Sequence, residues 1–336
     1  MKEMKDKKIK EWTGIFRDIY SKVDSERTPE QMWIAVMAHT SSIGESIRKF
    51  AFESLLESAA HTFCWLCTFV NKCNNLRDDI FSITESLGGI VSLKYPGVCG
   101  HCRQIKCQCD PVEMEKKINK SAEYQKLLEL RRSILASFED YSIDDFTKKF
   151  YEIYGGRIHI QTLENIGFHF LEEIGEAAVS IRKLSQLRKI TDDNKTRINL
   201  PFLKKLSTVE GIVENYSNYK PPEKIKYAST DPSMLRARVV EAKMSLVVEI
   251  ADSFSWFCAI LNKLDLISKF IYDHPKKHKI IKPLEQVLTE VYLDSNHNPI
   301  CPTCGSMPCK CVFYNLTTGD QRRLTTVTSR EERKAV

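Results

Sequence analysis

Hydrophobic positions along this chain recur with the spacing of α-helices. Four long segments share apolar residues at every third or fourth position, two in each half of the chain: Thr28–Phe50, Ala51–Cys73, Ile166–Leu187 and Arg236–Phe270. A fifth segment, Met114–Phe138, has the pattern of a helix that connects the halves. Strand patterns are restricted to short stretches beside the cysteines and to Val312–Val327. The pattern therefore predicts an all-α fold.

The two halves also align with each other. With a shift of 134 in numbering, positions 16–50 match positions 150–184 without a gap, and nine of the 35 pairs are identical. With a shift of 191, positions 51–72 match positions 242–263, and nine of the 22 pairs are identical. The shifts differ by 191 − 134 = 57, so the second half carries an insertion of that length. This repetition predicts an internal duplication, an intrachain pseudo-dimer of two helical halves.

Eight of the twelve cysteines form two clusters with the same spacing, C-x2-C-x4-C-x-C. Four thiolates at short spacing suit tetrahedral Zn²⁺, which takes ligands at about 2.3 Å. Because four protein ligands leave no open position on the ion, the predicted role is structural. We therefore predict two structural Zn²⁺ ions in small modules that close the halves, with these ligands: Cys99, Cys102, Cys107 and Cys109 in the first half, and Cys301, Cys304, Cys309 and Cys311 in the second.

Two pairs of carboxylates lie three residues apart on two predicted helices. Glu173 and Glu176 share one helix face, and Glu249 and Asp252 share a face of the next helix. Packed side by side, such helices bring four negative charges together, which is costly unless a cation neutralises them. Oxygen ligands favour Mg²⁺ or Mn²⁺. Solvated acids on amphipathic helices are the alternative, but the apolar residues around both pairs favour a bound partner.

The first half has lost these acids. Glu173 and Asp252 align with His39 and His61, while the other two acids align with serines. We therefore expect one catalytic half and one degenerate half. The two histidines leave two interpretations open: they bind a softer metal, or they are packed or substrate-facing side chains.

Three sequence segments in the second half resemble a known enzyme family. Leu171–Ala177 is similar to the first motif of the all-α nucleoside triphosphate pyrophosphohydrolases, the MazG and dimeric dUTPase superfamily. Glu249–Trp256 resembles its second motif, ExxD with an aromatic residue four positions later, and Ile260–Leu264 resembles the segment that follows. The family separates its motifs by a short helix and loop, whereas Glu176 and Glu249 are 249 − 176 = 73 positions apart. The predicted insertion accounts for that distance.

The resemblance implies a helical bundle that hydrolyses a nucleoside triphosphate to the monophosphate and pyrophosphate. The four carboxylates would hold Mg²⁺, and either a glutamate of the first pair or the adjacent Glu172 would act as the base. Lys263 beside Asn262 would contact substrate phosphates, as would Arg182 or Lys183, for which a solvated helix end is the alternative. Trp256 would stack on the base or fill the core.

Charge is uneven along the chain. The net charge is +6, yet positions 182–238 alone contain 13 Lys or Arg against 6 Asp or Glu. Such a basic segment attracts anions, which include nucleotides and nucleic acids. A nucleic-acid-binding zinc protein is therefore one alternative function, and a nucleotide-sensing scaffold with little turnover is another. Tyr216, Tyr219 and Tyr227 interleave with the charge, but no known nucleic-acid-binding motif is present.

Composition and organisation complete the expectation. With 42% hydrophobic and 28% charged residues, the chain has the usage of a globular protein. Its charged first ten residues do not resemble a signal peptide, and its longest apolar run, near Ala59–Val70, is too short to span a bilayer. We expect a cytoplasmic protein without membrane contact, as a monomer or homodimer. The expected units are 11–110 (degenerate half), 111–144 (connector), 145–311 (catalytic half, insertion at about 185–235) and 312–336 (tail).

Overall fold

The computed structural model describes residues 6–76, 79–109, 120–138, 140–193, 200–217, 231–272 and 282–311. These residues form eleven α-helices and no strand, which confirms the predicted all-α class. The helices are α1 (Ile9–Glu26), α2 (Pro29–Arg48), α3 (Phe52–Asn75), α4 (Leu87–Lys94), α5 (Lys120–Phe138), α6 (Ile143–Ile160), α7 (Leu163–Asp193), α8 (Leu200–Lys205), α9 (Val209–Ser217), α10 (Pro232–Tyr272) and α11 (Leu284–Tyr292). The predicted strand at 312–327 and the tail lie outside the described residues.

The helix boundaries follow from local chemistry. Thr28 caps α2 through a reciprocal pair of hydrogen bonds, because its hydroxyl accepts from the Gln31 N–H and the Gln31 side chain accepts from the Thr28 N–H. Pro29 occupies the first helical position, where no N–H is needed. Ser142 caps α6 in the same way with Asp145. The predicted start of α2 is thereby confirmed.

Helices α2 and α7 pack against each other at the centre of the molecule. They run antiparallel, since the Ser185 hydroxyl near the end of α7 donates to Glu30 at the start of α2, while Gly167 near the start of α7 adjoins Ile47 at the end of α2. Helix α3 lies beside α2, and α10 lies beside α7. Helix α1 packs on α3, and α6 packs on α10.

The short helix near the end of each half crosses to the other half. Helix α4 of the first half packs against α10, and α11 of the second half packs against α3. One hydrophobic core cluster consequently contains residues from both halves. Residues on both sides of the expected boundaries at 110 and 145 thus share one core.

Equivalent positions of the two halves make equivalent hydrogen bonds. The Asn71 side chain donates to the Thr13 carbonyl at 3.1 Å, and Asn262 donates to the Thr147 carbonyl at 2.9 Å. Thr13 and Thr147 are related by the shift of 134, and the asparagines by the shift of 191. Lys8 and Ser142, which are also related by the shift of 134, pair with each other in an isolated antiparallel bridge. An asparagine-to-carbonyl hydrogen bond thus joins α1 to α3 in the first half and α6 to α10 in the second.

One helix in the described part of the chain is long and apolar enough to cross a membrane. This stretch, Pro232–Lys269, lies within α10, and 78% of its most apolar window is buried inside the molecule. Core helices pass the same length and composition test, so the test alone does not indicate a membrane.

Candidate functional site

Three of the four predicted carboxylates converge between α7 and α10. Oxygens of Glu173, Glu176 and Glu249 all lie within 4.8 Å of one another, a set that can hold a metal ion. The i, i+3 spacing on α7 and the antiparallel neighbour α10 produce this arrangement. Glu173 and Glu249 are half-buried, whereas Glu176 is exposed, so the set opens to solvent at one side. The sequence-based prediction of an acid cluster therefore has a geometric counterpart for these three residues.

Asp252, the fourth predicted acid, has other partners. Its carboxylate is buried, forms an ion pair with the Lys94 ammonium and accepts a hydrogen bond from the Tyr95 hydroxyl. Lys94 is the last residue of α4 and Tyr95 directly follows it, so both belong to the first half of the chain. Two residues of the first half thus bind the fourth predicted acid of the second half.

Burial and the charges of neighbouring groups shift the pKa values of Glu173, Glu249 and Lys94. Burial and the nearby charge of Asp252 raise the pKa of Glu249 to about 7, although Lys94 opposes the shift. Burial is also the largest cause of the higher pKa of Glu173, to which the charges of Asp252 and Glu249 add. Burial acts to lower the pKa of Lys94, but Asp252 outweighs it, and the pKa lies above its ordinary value. Lys94 is therefore a cation at neutral pH, and it lies beside two glutamates whose pKa values are raised.

A fully buried arginine holds α4 in place. The Arg131 guanidinium, from α5, donates to the Gly89 carbonyl at 3.2 Å and to the Ser92 hydroxyl at 3.0 Å, both in α4. The same side chain pairs with Glu85 and with Glu210, the latter in α9. A Cβ at position 89 would lie 2.6 Å from the Glu85 carboxylate, which Arg131 holds, so glycine suits this close approach. The connecting helix and the insertion thereby both position the helix that carries Lys94.

The described part of the basic insertion is a packed structure. Helix α9 lies against α5 and α10, and Val209, Ile212 and Val213 are fully buried. Tyr216, one of the tyrosines that interleave with the charge, packs edge-on against Tyr124 with ring centroids 6.4 Å apart. The other two, at positions 219 and 227, lie outside the described residues. The described segment thus supports the acid site rather than forming a solvated loop.

Both cysteine clusters have the geometry of a four-thiolate zinc site. Sulfurs at about 2.3 Å from a tetrahedral ion lie about 3.8 Å apart. The Cys99 sulfur lies 3.5 Å from that of Cys107, and the Cys301 sulfur lies 3.8 Å from that of Cys311. In each cluster all four sulfurs lie within 4.8 Å of one another. Both predicted sets can therefore bind zinc.

Backbone N–H groups in each cluster stabilise the thiolate form of its second cysteine. The Gln108 N–H donates to the Cys102 sulfur, and the Lys310 N–H donates to the Cys304 sulfur, both at 3.4 Å. Burial acts to raise the pKa of Cys102, but backbone donors outweigh it and lower the pKa to about 7. The same balance lowers the pKa of Cys304 to about 6. Thiolates are the form that binds metal.

Each cysteine cluster contacts the opposite half of the chain. The Cys107 N–H donates to the Ile153 carbonyl in α6, and the Cys309 N–H donates to the Ile19 carbonyl in α1, each at 2.7 Å. Ile19 and Ile153 are equivalent positions, related by the shift of 134. In the first module only three residues separate Tyr95 from Cys99, so the zinc site and the Asp252 contact are parts of one short segment.

The first half contains a histidine pair at positions that align with two acids of the second half. The His39 and His61 rings lie 4.9 Å apart, and His61 Nδ1 lies 2.8 Å from the Tyr292 hydroxyl. Tyr292 is the last residue of α11, and Tyr95 directly follows α4. Tyr95 contacts Asp252, and Tyr292 contacts His61, the residue that aligns with Asp252. Burial lowers the pKa of both histidines to about 4. The pair is neutral near pH 7, and no third ligand for a metal joins it among the described residues.

Two predicted substrate-binding residues have structural partners instead. Asn262 donates to the Thr147 carbonyl, and Lys263 donates to the carbonyls of Ile158 and His159 at the end of α6. Lys72, the counterpart of Lys263 in the first half, donates in the same way to carbonyls at the end of α1. A cation at a helix C-terminus is favourable because of the helix dipole. These contacts give both residues a role in the fold, while their contact with substrate phosphates stays a prediction.

We expect the Lys263→Ala variant to lose stability and to keep its substrate affinity. Removal of the ammonium leaves two carbonyls at the end of α6 without this donor, which should lower the free energy of unfolding by about 1 kcal/mol. Urea unfolding measures this loss. Lys72→Ala is the matched variant in the first half and should lose a similar amount. A much larger KM for Lys263→Ala alone would return the residue to the substrate site.

The remaining predicted residues lie at or beyond the edge of the acid cluster. Glu172 is exposed and its carboxylate lies 3.3 Å from His169 Nδ1, so it does not join the converging oxygens. Arg182 is exposed and Lys183 half-buried, about two turns beyond Glu176 on α7. Neither cation makes a hydrogen bond or ion pair with another described residue. Trp256 is half-buried and stacks on His169.

Sequence reasoning missed two residues that bind an acid of the site: Lys94 and Tyr95. The correspondence of Tyr95 with Tyr292 was a signal that could have marked the end of α4 as important. It could not have indicated which half the helix packs against. Comparison of the chain with family models, with curated proteins and with solved structures finds no match.

Proposed function

We propose that this chain is a metal-dependent nucleoside triphosphate pyrophosphohydrolase, built as an internally duplicated, MazG-like bundle with one degenerate half. The observation that carries the proposal is the convergence of Glu173, Glu176 and Glu249 beside the Lys94 cation. The hydrogen bonds that recur at shifts of 134 and 191 support the duplication. The motif resemblance supports the reaction, which converts a triphosphate to a monophosphate and pyrophosphate.

The donor set fits a small divalent cation. Octahedral Mg²⁺ takes oxygens at about 2.0–2.1 Å, which places them roughly 3–4 Å from one another, and the three carboxylates come close to that range. Glu173, Glu176 and Glu249 would hold the ion, and Asp252 would join them on release from Lys94. When bound, Mg²⁺ neutralises phosphate charge and makes an attacking water more acidic.

The chain's own residues supply the rest of the chemistry. Water adds to the α-phosphorus, the bond from that phosphorus to the bridging oxygen breaks, and pyrophosphate leaves. Glu249 takes the proton of the water, since a base with a pKa near neutral pH is effective in this role. Lys94 releases Asp252, binds the departing pyrophosphate and stabilises the negative charge of that group.

The direct test is a panel of the common NTPs and dNTPs with Mg²⁺, assayed for pyrophosphate release. We expect at least one nucleotide to yield pyrophosphate and the monophosphate. Release of orthophosphate and a diphosphate would contradict attack at the α-phosphorus. If no nucleotide gives a metal-dependent product, the remaining hypothesis is a scaffold that binds nucleotides without turnover. Equilibrium binding measurements would test that hypothesis.

The stabilisation of the fold by Mg²⁺ should increase with pH. The folded-state pKa values of Glu173 and Glu249 lie above the ordinary 4.5, so their contribution to stability is largest below that pH. It falls as pH rises through about 7 for Glu249 and about 9 for Glu173, because ionisation of the buried acids is unfavourable. Mg²⁺ compensates the charge, so its stabilisation of the fold should grow from about pH 5 to about pH 8. Thermal unfolding with and without Mg²⁺ measures this, and an increment that does not depend on pH would contradict it.

A further inference from the structure

The central helices α2 and α7 expose large apolar side chains. Ile34 of α2 is 64% exposed, and Phe168 of α7 is 70% exposed. These two positions are equivalent, since they are related by the shift of 134. Met37 on α2 and Val179 on α7 are exposed as well. Four of the ten large apolar side chains that are exposed in the described part of the chain therefore belong to these two helices.

These side chains lie on the same side of the helix pair. A Cβ on Gly44 of α2 would lie 3.4 Å from the Leu171 side chain of α7, so the two helices touch there. Met37 precedes Gly44 by seven residues and Phe168 precedes Leu171 by three, so both flank this contact. A twofold axis that relates antiparallel neighbours is perpendicular to the plane of the pair, so equivalent residues lie on one side of that plane. The rows form one surface, the α2–α7 face, with these members: Ile34, Met37, Ala38, Ser41, Phe168, Leu171, Gly175 and Val179.

The α2 part of this face is uncharged over about four helical turns. No Asp, Glu, Lys or Arg occurs from position 31 to position 44. On α7 the acid cluster lies on the side toward α10, since Glu173 and Glu176 converge with Glu249 of that helix. An exposed surface with an apolar, uncharged centre favours a protein partner over an anionic ligand.

The charges at the two ends of each helix are opposite in sign. Glu30 and Arg48 on α2 are 48 − 30 = 18 residues apart, which is about five turns, so both start from one row of the helix. Glu164 and Arg182 repeat this arrangement on α7. The arginines are exposed and the glutamates are half-buried. Two such helices packed antiparallel bring the glutamate end of one beside the arginine end of the other. A second copy of this chain, placed face to face by a twofold axis, provides that antiparallel partner.

The α2–α7 face is large enough for a specific contact. A row of five turns is about 27 Å long, and two helices side by side are about 20 Å wide. The face therefore measures roughly 540 Å² on each copy, and two copies bury roughly 1,000 Å². Specific protein interfaces begin near this size.

We propose that the α2–α7 face binds a second copy of this chain in solution. The dimer is isologous, because the twofold axis places the same face of both copies in contact. Ile34 and Phe168 lie in the apolar centre of the interface, and Arg48 and Arg182 lie at its rim, near glutamates of the other copy. The acid cluster opens between α7 and α10, so the dimer does not depend on the proposed function.

Sedimentation equilibrium of the full chain tests the dimer. The wild-type chain should have twice the mass of one chain at about 10 µM, with a Kd below that concentration. Ile34→Asp and Phe168→Asp should each raise the dimer Kd by about a hundredfold or more, because each substitution occurs twice in the interface and places a charge in its apolar centre. Ile160→Asp is the matched control. Ile160 is 83% exposed at the end of α6, away from the face, and its substitution should leave Kd unchanged.

The rim charges give a second, smaller effect. Arg48→Glu combined with Arg182→Glu places acids beside the glutamates of the other copy and should raise Kd by about tenfold, more at low salt than at high salt. Circular dichroism checks that each variant folds. Ile34→Ser and Phe168→Ser, which should raise Kd in the same direction, replace any aspartate variant that unfolds.

Three results would overturn the proposal. A wild-type chain that is monomeric at about 100 µM would show that no second copy covers the face. A dimer whose Kd does not change in the Ile34 and Phe168 variants would use another surface. Equal increases of Kd in Phe168→Asp and Ile160→Asp would show that added charge, rather than this face, controls association.

Discussion

The Glu249→Gln variant is expected to release pyrophosphate at least about a hundredfold more slowly than the wild-type chain in the presence of Mg²⁺. The substitution preserves the shape of the side chain and removes one of the three converging carboxylates. Metal-held charge contributes several kcal/mol to such transition states, and a loss of about 1.4 kcal/mol slows a reaction tenfold. Steady-state rates over a range of Mg²⁺ concentrations measure the effect.

The same substitution should make the metal-free protein more stable. Burial and the neighbouring carboxylates disfavour the ionised form of Glu249, and a neutral amide removes that repulsion. Sites that bind ligands commonly trade stability for function in this way. Ser58→Ala, at the aligned position of the first half, is the control and should retain wild-type turnover. A Glu249→Gln variant that keeps full activity would remove the acid cluster from the mechanism.

The Cys102→Ser variant is expected to lose both zinc and turnover. Structural zinc contributes directly to folding, so loss of one ligand should lower the free energy of unfolding by several kcal/mol, on the order seen for small zinc modules. The same module ends the segment that carries Lys94 and Tyr95, which hold Asp252. A displacement of about 1 Å in such positioning groups can cost about a hundredfold in rate. Metal content by mass spectrometry and turnover per folded molecule measure the two effects.

The second module supplies the matched control. Cys304 is the equivalent of Cys102, but its module follows Tyr292, which contacts His61 in the half without acids. Cys304→Ser should therefore reduce zinc content and stability to a similar degree, while the folded fraction retains its turnover. Equal losses of turnover in both variants would show that zinc acts only through global stability. Wild-type protein with well under two zinc ions per chain would contradict the metal assignment of the clusters.

The sequence by itself determined the local features of this protein. Helical periodicity predicted the all-α class, and the cap at Thr28 marked the start of α2 correctly, because these depend on contacts between residues a few positions apart. The two cysteine sets were identifiable for the same reason, since ligands at short spacing converge whatever the surrounding fold. The pairing of Glu173 with Glu249 was predictable because two i, i+3 motifs within apolar helices favour one shared cation.

Only the tertiary structure decided which half completes the acid site. Lys94 lies 158 positions before Asp252, and the exchange of α4 and α11 between the halves brings them into contact. Periodicity describes which face of a helix is apolar but not which partner buries it. The sequence predicted substrate contacts for Asn262 and Lys263 for a related reason. A polar pair that follows a motif has the same sequence pattern whether it contacts a ligand or the carbonyls of α6. The physical difference lies in long-range packing, which the order of residues along the chain does not display.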